Sequence, residues 1–256
     1  MLLRGNLGQA LAGLALLTAG LTTANAGSFT VNPVRLSLSA AQSVAAITVK
    51  NVGTEATVVQ LETFSWAQHD GHDELNSSNE ILATPPIITV APGASRIIRV
   101  GLRRPPDPQH ELTYRLFLRE VPPPEPVAQG LRVALLINMP VFVVPARLAG
   151  PSLDWHAIRT RDGNIRIQAR NTGPSHVKLG QLDIAAGSTS VASRNLAEYV
   201  LPENQREWTV TAKSAPPVGT LLNISSQADV GPLTATVTLE DDPRELNPNT
   251  PQTAAR

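Results

Sequence analysis

Short stretches in which every second residue is apolar recur along this chain, and Gly- and Pro-containing turns divide them. That pattern admits few folds besides an all-β one. Residues 46–50 run into the turn-like Asn51-Val52-Gly53. Over 58–66 the alternating set is Val59, Leu61, Thr63 and Ser65, and residues 87–90 lead into Ala91-Pro92-Gly93. Over 96–102, Ile98, Val100 and Leu102 alternate with Ile97, Arg99 and Gly101. Over 114–121, Tyr114, Leu116 and Leu118 alternate with Arg115, Phe117 and Arg119. After residue 150 the pattern returns at 165–169, 177–182, 208–210 and 233–239, while 193–201 is also compatible with a helix. Strands this short at regular spacing predict sandwiches or barrels.

Residues 131–145 stand apart. Leu131, Val133, Leu135, Ile137 and Met139 project from one face of a strand. The other face carries Arg132, Ala134, Leu136 and Asn138, so it is partly apolar too. Such a strand needs cover on both faces, yet Pro140 lacks a ladder N–H and suits an edge or a strand end. An apolar strand at an edge wants a partner from outside its own domain, which points to binding rather than chemistry.

The first 26 residues read as a secretory signal. Arg4 supplies the positive charge, residues 11–21 are apolar but too short to span a bilayer, and Ala24-Asn25-Ala26 is a small-x-small cleavage site. The chain has no cysteine, so an exported protein of this kind relies on its own core. The expected division is signal 1–26, first domain 27–145, linker 146–150, second domain 151–240 and a polar, Pro- and Asn-rich tail 241–256. The two domains are then about 115 residues each or somewhat smaller. Losing Arg4 leaves a net charge of −1, and the aromatics are few and scattered. Neither feature suits nucleic acid or an anionic membrane as partner.

No Gly-x-Ser-x-Gly elbow, phosphate-cradling Gly-rich loop, His-Glu-x-x-His motif or catalytic cysteine is present, so no enzyme, cofactor or small-molecule substrate is expected. His69-Asp70-Gly71-His72-Asp73-Glu74 holds metal-ligating side chains, but Asp70-Gly71 is a turn signal between strand-like runs. A solvated hairpin tip is expected there rather than a metal site. His176 follows the Asn171-Thr172-Gly173 turn and is expected to be structural.

Several segments in register resemble the periplasmic chaperones of chaperone–usher pili, the PapD-like family. They are Asn32-Pro33-Val34-Arg35, Ile47-Thr48-Val49-Lys50-Asn51, Thr84-Pro85-Pro86, Val90-Ala91-Pro92-Gly93, the stretch Leu116-Phe117-Leu118-Arg119-Glu120-Val121-Pro122, the apolar strand from Leu131, and the closing Pro140-Val141-Phe142-Val143 before Pro145. In the second half, Asn171 to His176 is similar to the family's Asn-x-Gly-x-x-His.

The resemblance implies two immunoglobulin-like sandwiches in an L shape. It implies a non-enzymatic chaperone that binds pilus subunits by donor-strand complementation and delivers them to an outer-membrane usher. It implies Leu131, Val133, Leu135, Ile137 and Met139 as the donated row, and Arg35 as the anchor for the subunit's C-terminal carboxylate. The family's second anchor is a lysine where this chain has Pro140, leaving Arg99, Arg119 and Arg132 as candidate substitutes. Glu111 matches an acidic interdomain residue. Its arginine partner is Val144 here, with Arg147 the candidate replacement. A self-capping dimer of the free chaperone is a further partner state. The rival reading is a secreted Ig-like structural or adhesive pilus component.

Overall fold

The computed structural model describes residues 29–122, 133–147, 149–214 and 216–242. The expected signal, Leu131, Arg132 and all of the tail but Asp241 and Asp242 lie outside the described residues. Within them the regular elements are all strands, and no helix is long and apolar enough to cross a membrane.

The first unit is a sandwich of two sheets. One has the order β1-β3-β8-β6, formed by β1 (Phe29–Asn32), β3 (Val44–Asn51), β8 (Ser95–Leu102) and β6 (Ile81–Thr84). The other has the order β2-β10-β9-β4-β5, formed by β2 (Leu36–Leu38), β10 (Leu136–Val143), β9 (Leu112–Val121), β4 (Thr57–His69) and β5 (His72–Ser77). In that sheet β7 (Ile87–Val90) also pairs with β4. The chain changes sheets between β1 and β2, just after the cis Asn32–Pro33 bond. The alternating residues read from the sequence supply the core: Ile47, Val49, Val59, Leu61, Ile98, Val100, Leu116, Leu118, Val141 and Val143 are all buried.

The second unit folds seven strands into a second sandwich. One side is β14 (Thr189–Val200), β13 (Val177–Ala186), β16 (Leu221–Ala228) and β17 (Gly231–Asp241). The other is β11 (Leu153–Arg159), β12 (Ile165–Asn171) and β15 (Gln205–Val210). A short parallel pairing of β11 with β17 joins them, and one buried cluster draws on both sides, from Ile165 and Trp208 to Leu179 and Ile224. The protein is thus all-β, with two immunoglobulin-like sandwiches. The stretch 193–201, open to a helical reading, is strand over its length to Val200. It is bonded to β13 through register shifts, and Ala197 adopts φ +72°. Ladder bonds and burial of Val200 outweigh a weak local preference.

Each sandwich carries the same polar device. Asn51 ends β3 fully buried; its amide donates to Glu55 O (2.7 Å) and Val90 O (2.8 Å), and its Oδ1 accepts from Gly53 N (2.8 Å). Asn171 ends β12, also fully buried. It donates to Ser175 O (2.7 Å) and Val200 O (3.2 Å), and accepts from Gly173 N (3.0 Å). Side-chain and backbone groups that would be orphaned in the core are satisfied together. Gly173 has no room for a side chain, because an added Cβ would lie 2.5 Å from Ser152 N.

Candidate functional site

The apolar row of β10 runs from a closed core to an open end. Val143, Val141 and Met139 are buried, Met139 at 1% exposure. Ile137 and Leu135 are partly buried at the rim of the same core, and Val133 is 54% exposed. Met139 therefore belongs to the home core, which corrects its expected place in the open row. The row leaves the core because β9 pairs with β10 along its whole length, whereas β2 pairs only with Val141–Val143. On the β2 side, no ladder partner covers Leu136 to Pro140 among the described residues. Unpaired N–H and C=O groups there form a template for another strand.

The outer face of the same sheet meets the second domain. Phe142 stacks on His176 (centroids 3.5 Å, planes 8° apart), and Trp66 meets Tyr199 edge-on at 5.4 Å. Leu201 completes this buried cluster. Around it lie contacts that link the domains. Arg35 Nη1 pairs with Asp229 Oδ2 at 2.9 Å. Asp229 Oδ1 accepts from Lys178 N at 2.8 Å. His176 places Nδ1 2.5 Å from Glu111 and Nε2 3.7 Å from Asp229. Burial pulls the His176 pKa down, but hydrogen bonding and charge from Asp229 and Glu111 outweigh it, so the ring titrates above an ordinary histidine. Asp229 is likewise pushed up by burial and pulled further down by His176, Lys178 N and Arg35, to a net value below an ordinary aspartate.

The hairpin over 69–72 closes through a two-residue turn, with Asp70 at φ +49° and Gly71 at φ +79°, the pair of left-handed residues that such a turn demands. The expectation of a merely solvated tip needs correction. His69 and Asp70 are exposed, but Arg206 of the second domain donates to Gly71 O (2.5 Å) and pairs with Asp73. Beside it, Gln68 donates to Tyr199 O (2.9 Å) and accepts from Leu201 N (3.0 Å). The hairpin is a strut between domains. Among the described residues no group of three or more His, Asp or Glu side chains is placed to hold a metal ion.

The predicted site residues divide clearly. Arg35 and Glu111 lie in the cleft between domains, each bonded to the second domain. Arg147 is exposed, with no ion pair among the described residues; the side chain opposite Glu111 is His176. Arg119 is half-exposed, 3.7 Å from Glu62. Arg99 is exposed on β8, in the other sheet. Neither stands beside Arg35. Sequence reasoning missed Arg115, whose guanidinium lies 3.6 Å from the Trp66 ring centroid, and also Trp66, Tyr199, Asp229, Gln68 and Arg206. The available signal for Arg115 was its place opposite Pro140, which needs the β9–β10 register.

With this geometry, the relatives are informative. Residues 28–149 match the family model described as pili and flagellar-assembly chaperone, PapD N-terminal domain. The chaperone protein PapD of Escherichia coli is 27% identical over 154 residues, covering 57% of this chain and 62% of PapD, less than two thirds of that relative's length. Among solved structures, the chaperone–tip subunit complex CsuC–CsuE from archaic chaperone–usher Csu pili of Acinetobacter baumannii matches with a TM-score of 0.62 at 18% identity, covering 84% of this chain and 99% of that one. The Salmonella enterica SafA pilin–SafB chaperone complex gives 0.57 at 17%, covering 83% and 97%. The E. coli chaperone DraB gives 0.55 at 20%, covering 85% and 98%. At these identities the structural matches establish the fold.

Proposed function

We propose, from the match of residues 28–149 to the N-terminal domain of pili and flagellar-assembly chaperones, that this chain binds pilus subunits by lending them the free edge of β10. The observation that carries this reading is the opening of the β10 row. Its apolar side chains pass from buried Met139 through the rim positions Ile137 and Leu135 to exposed Val133, on a strand whose β2-side edge has no ladder partner from Leu136 to Pro140 among the described residues. A subunit lacking a strand could pair with that edge through its backbone and cover the row with its own core. Each such side chain buried contributes about 1.5–3 kcal/mol. Leu131, next in the same period of the sequence, lies outside the described residues. Arg35 receives the subunit's C-terminal carboxylate, since a guanidinium offers paired donors matched to a carboxylate. The 1–26 signal places this work in the periplasm after cleavage following Ala26, and an outer-membrane usher takes the subunit onward. No cofactor or nucleotide enters the scheme, because the subunit completes its fold when it exchanges one donated strand for another.

The test is to purify the tagged protein from its host's periplasm and identify co-purifying proteins by mass spectrometry. A stoichiometric small β-rich exported protein, lost with Val133→Glu and Leu135→Glu while the chain still folds, is the expected result. Recovery of the wild type alone while pilus subunits are expressed, or full subunit recovery by the doubly charged variant, overturns the reading.

A further inference from the structure

Two arginines flank Pro140 on the outer face of the β2-β10-β9 sheet. Across β9, Pro140 stands opposite Arg115. Across β2, Val141 stands beside Leu36, so Arg35, one residue earlier, falls beside Pro140. The inward neighbours of both arginines, Leu36, Tyr114 and Leu116, are buried, which puts the two guanidinium groups on the same, outward side. Two strand spacings separate them, about 10 Å at the Cα positions.

Arg115 is an unusual cation. It is half-buried over Trp66, 5.6 Å from the Tyr199 ring centroid, and burial pulls its pKa down. No carboxylate lies within ion-pair distance of it among the described residues. Asp73 and Arg206, which act on it with opposite sign, pair with each other. The indole N–H of Trp66 beneath it is buried and has no acceptor among the described residues. Lys178 Nζ lies 5.4 Å from the opposite ring, Tyr199. Asp229 takes only one donor, Nη1, from Arg35 and is shared with Lys178 N and His176. The corner holds more donors than acceptors, and a partly desolvated charge without a counter-ion is costly unless a ligand supplies one.

We propose that Arg115 is the second cation of the anchor, and that Arg35 and Arg115 grip one carboxylate over Pro140. This rests on the chaperone reading above and names the residue that closes its carboxylate site. Pro140 itself is buried and adds no charge between the two arginines. Trp66 holds the Arg115 guanidinium in place, so little freedom is lost when the ligand arrives.

The test uses the full mature chain and the subunit that co-purifies with it, prepared with its native C-terminus and with a few polar residues added there. Arg115→Ala is expected to weaken the native complex about ten- to a hundred-fold, the value of a charge-assisted hydrogen bond. Arg115→Lys should recover most of the loss, and Arg115→Gln, which keeps a polar group over Trp66, should not. Affinity in Arg115→Ala should depend less on ionic strength than in the wild type. Against the extended subunit, wild type and Arg115→Ala should bind alike. An Arg115→Ala complex as tight as the wild type, in a background where Arg35→Ala weakens binding, refutes the assignment. So does an equal loss against native and extended subunits, which would make Arg115 a packing residue. A wild-type chain that captures no subunit refutes the chaperone reading itself, and the anchor with it.

Discussion

Truncating the β10 row one residue at a time should separate the part of the strand that belongs to its own domain from the part that is lent. Val133 is 54% exposed and Met139 1% exposed, with Leu135 and Ile137 between them at the core rim. Met139→Ala removes a fully buried side chain and leaves a cavity, at a cost of about 2–5 kcal/mol. For a sandwich of about 115 residues, the middle of that range lowers its melting temperature by roughly 10 °C or more. Val133→Ala touches no packed core and should change stability by less than about 0.5 kcal/mol. In a complex the order reverses. Val133→Ala removes two methyl groups' worth of buried surface, about 1.5 kcal/mol, or roughly tenfold in affinity. Leu135→Ala should move both quantities. The assay pairs thermal melting of each free variant with the dissociation constant for the co-purified subunit. The two profiles should cross along the row, stability loss rising from 133 to 139 as affinity loss falls. Equal destabilisation by Val133→Ala and Met139→Ala would mean that the whole row is home core. Unchanged affinity in Val133→Glu would mean that the open end is not where a subunit binds.

Three other outcomes follow from the polar contacts. Arg35→Ala should weaken subunit binding while shifting the melting temperature by only a few degrees, because its ion pair with Asp229 is half-exposed and such pairs contribute about 0–1 kcal/mol; a large stability loss would make Arg35 structural. Asn51→Ala and Asn171→Ala should each destabilise their own sandwich by about 2–4 kcal/mol through buried carbonyls left without donors, as separate urea transitions would show. His176 should make the domain contact pH-dependent. Its folded pKa lies above the unfolded value near 6.5, so its stabilisation is fully present below that value and fades as pH rises through the folded pKa. Asp229 has a lowered pKa, and its contribution is fully present above about 3.8 and fades as pH falls through the folded value. Melting should therefore be highest in mildly acidic buffer between these limits. His176→Phe, which keeps a ring over Phe142, should abolish the loss on the alkaline side.

What was legible in the sequence was what two-residue periodicity encodes locally. Ile47 and Val49, Ile98 and Val100, Leu116 and Leu118 alternate because one face of each strand is buried, and the structure buries them. The Asn51-x-Gly53 and Asn171-x-Gly173 devices stood in the sequence too, and only their equivalence went unread. The end of the home core within the row 131–139 could not be read, since every second residue there is apolar. That end is set by β2, whose three residues cover Val141–Val143 and no further. Arg115 was hidden for the same kind of reason. It becomes the neighbour of Arg35 only once the β9–β10 and β2–β10 registers are known, and those depend on loop lengths and sheet switching rather than on local pattern. The domain contacts are further still from local reading. Arg35 meets Asp229 across 194 positions, and Gln68 meets Leu201 across 133. A resemblance that marks Glu111 does not announce that the group across the domain boundary from it is His176. Because His176 can titrate, it gives this contact a sensitivity to pH that a permanently charged group would lack.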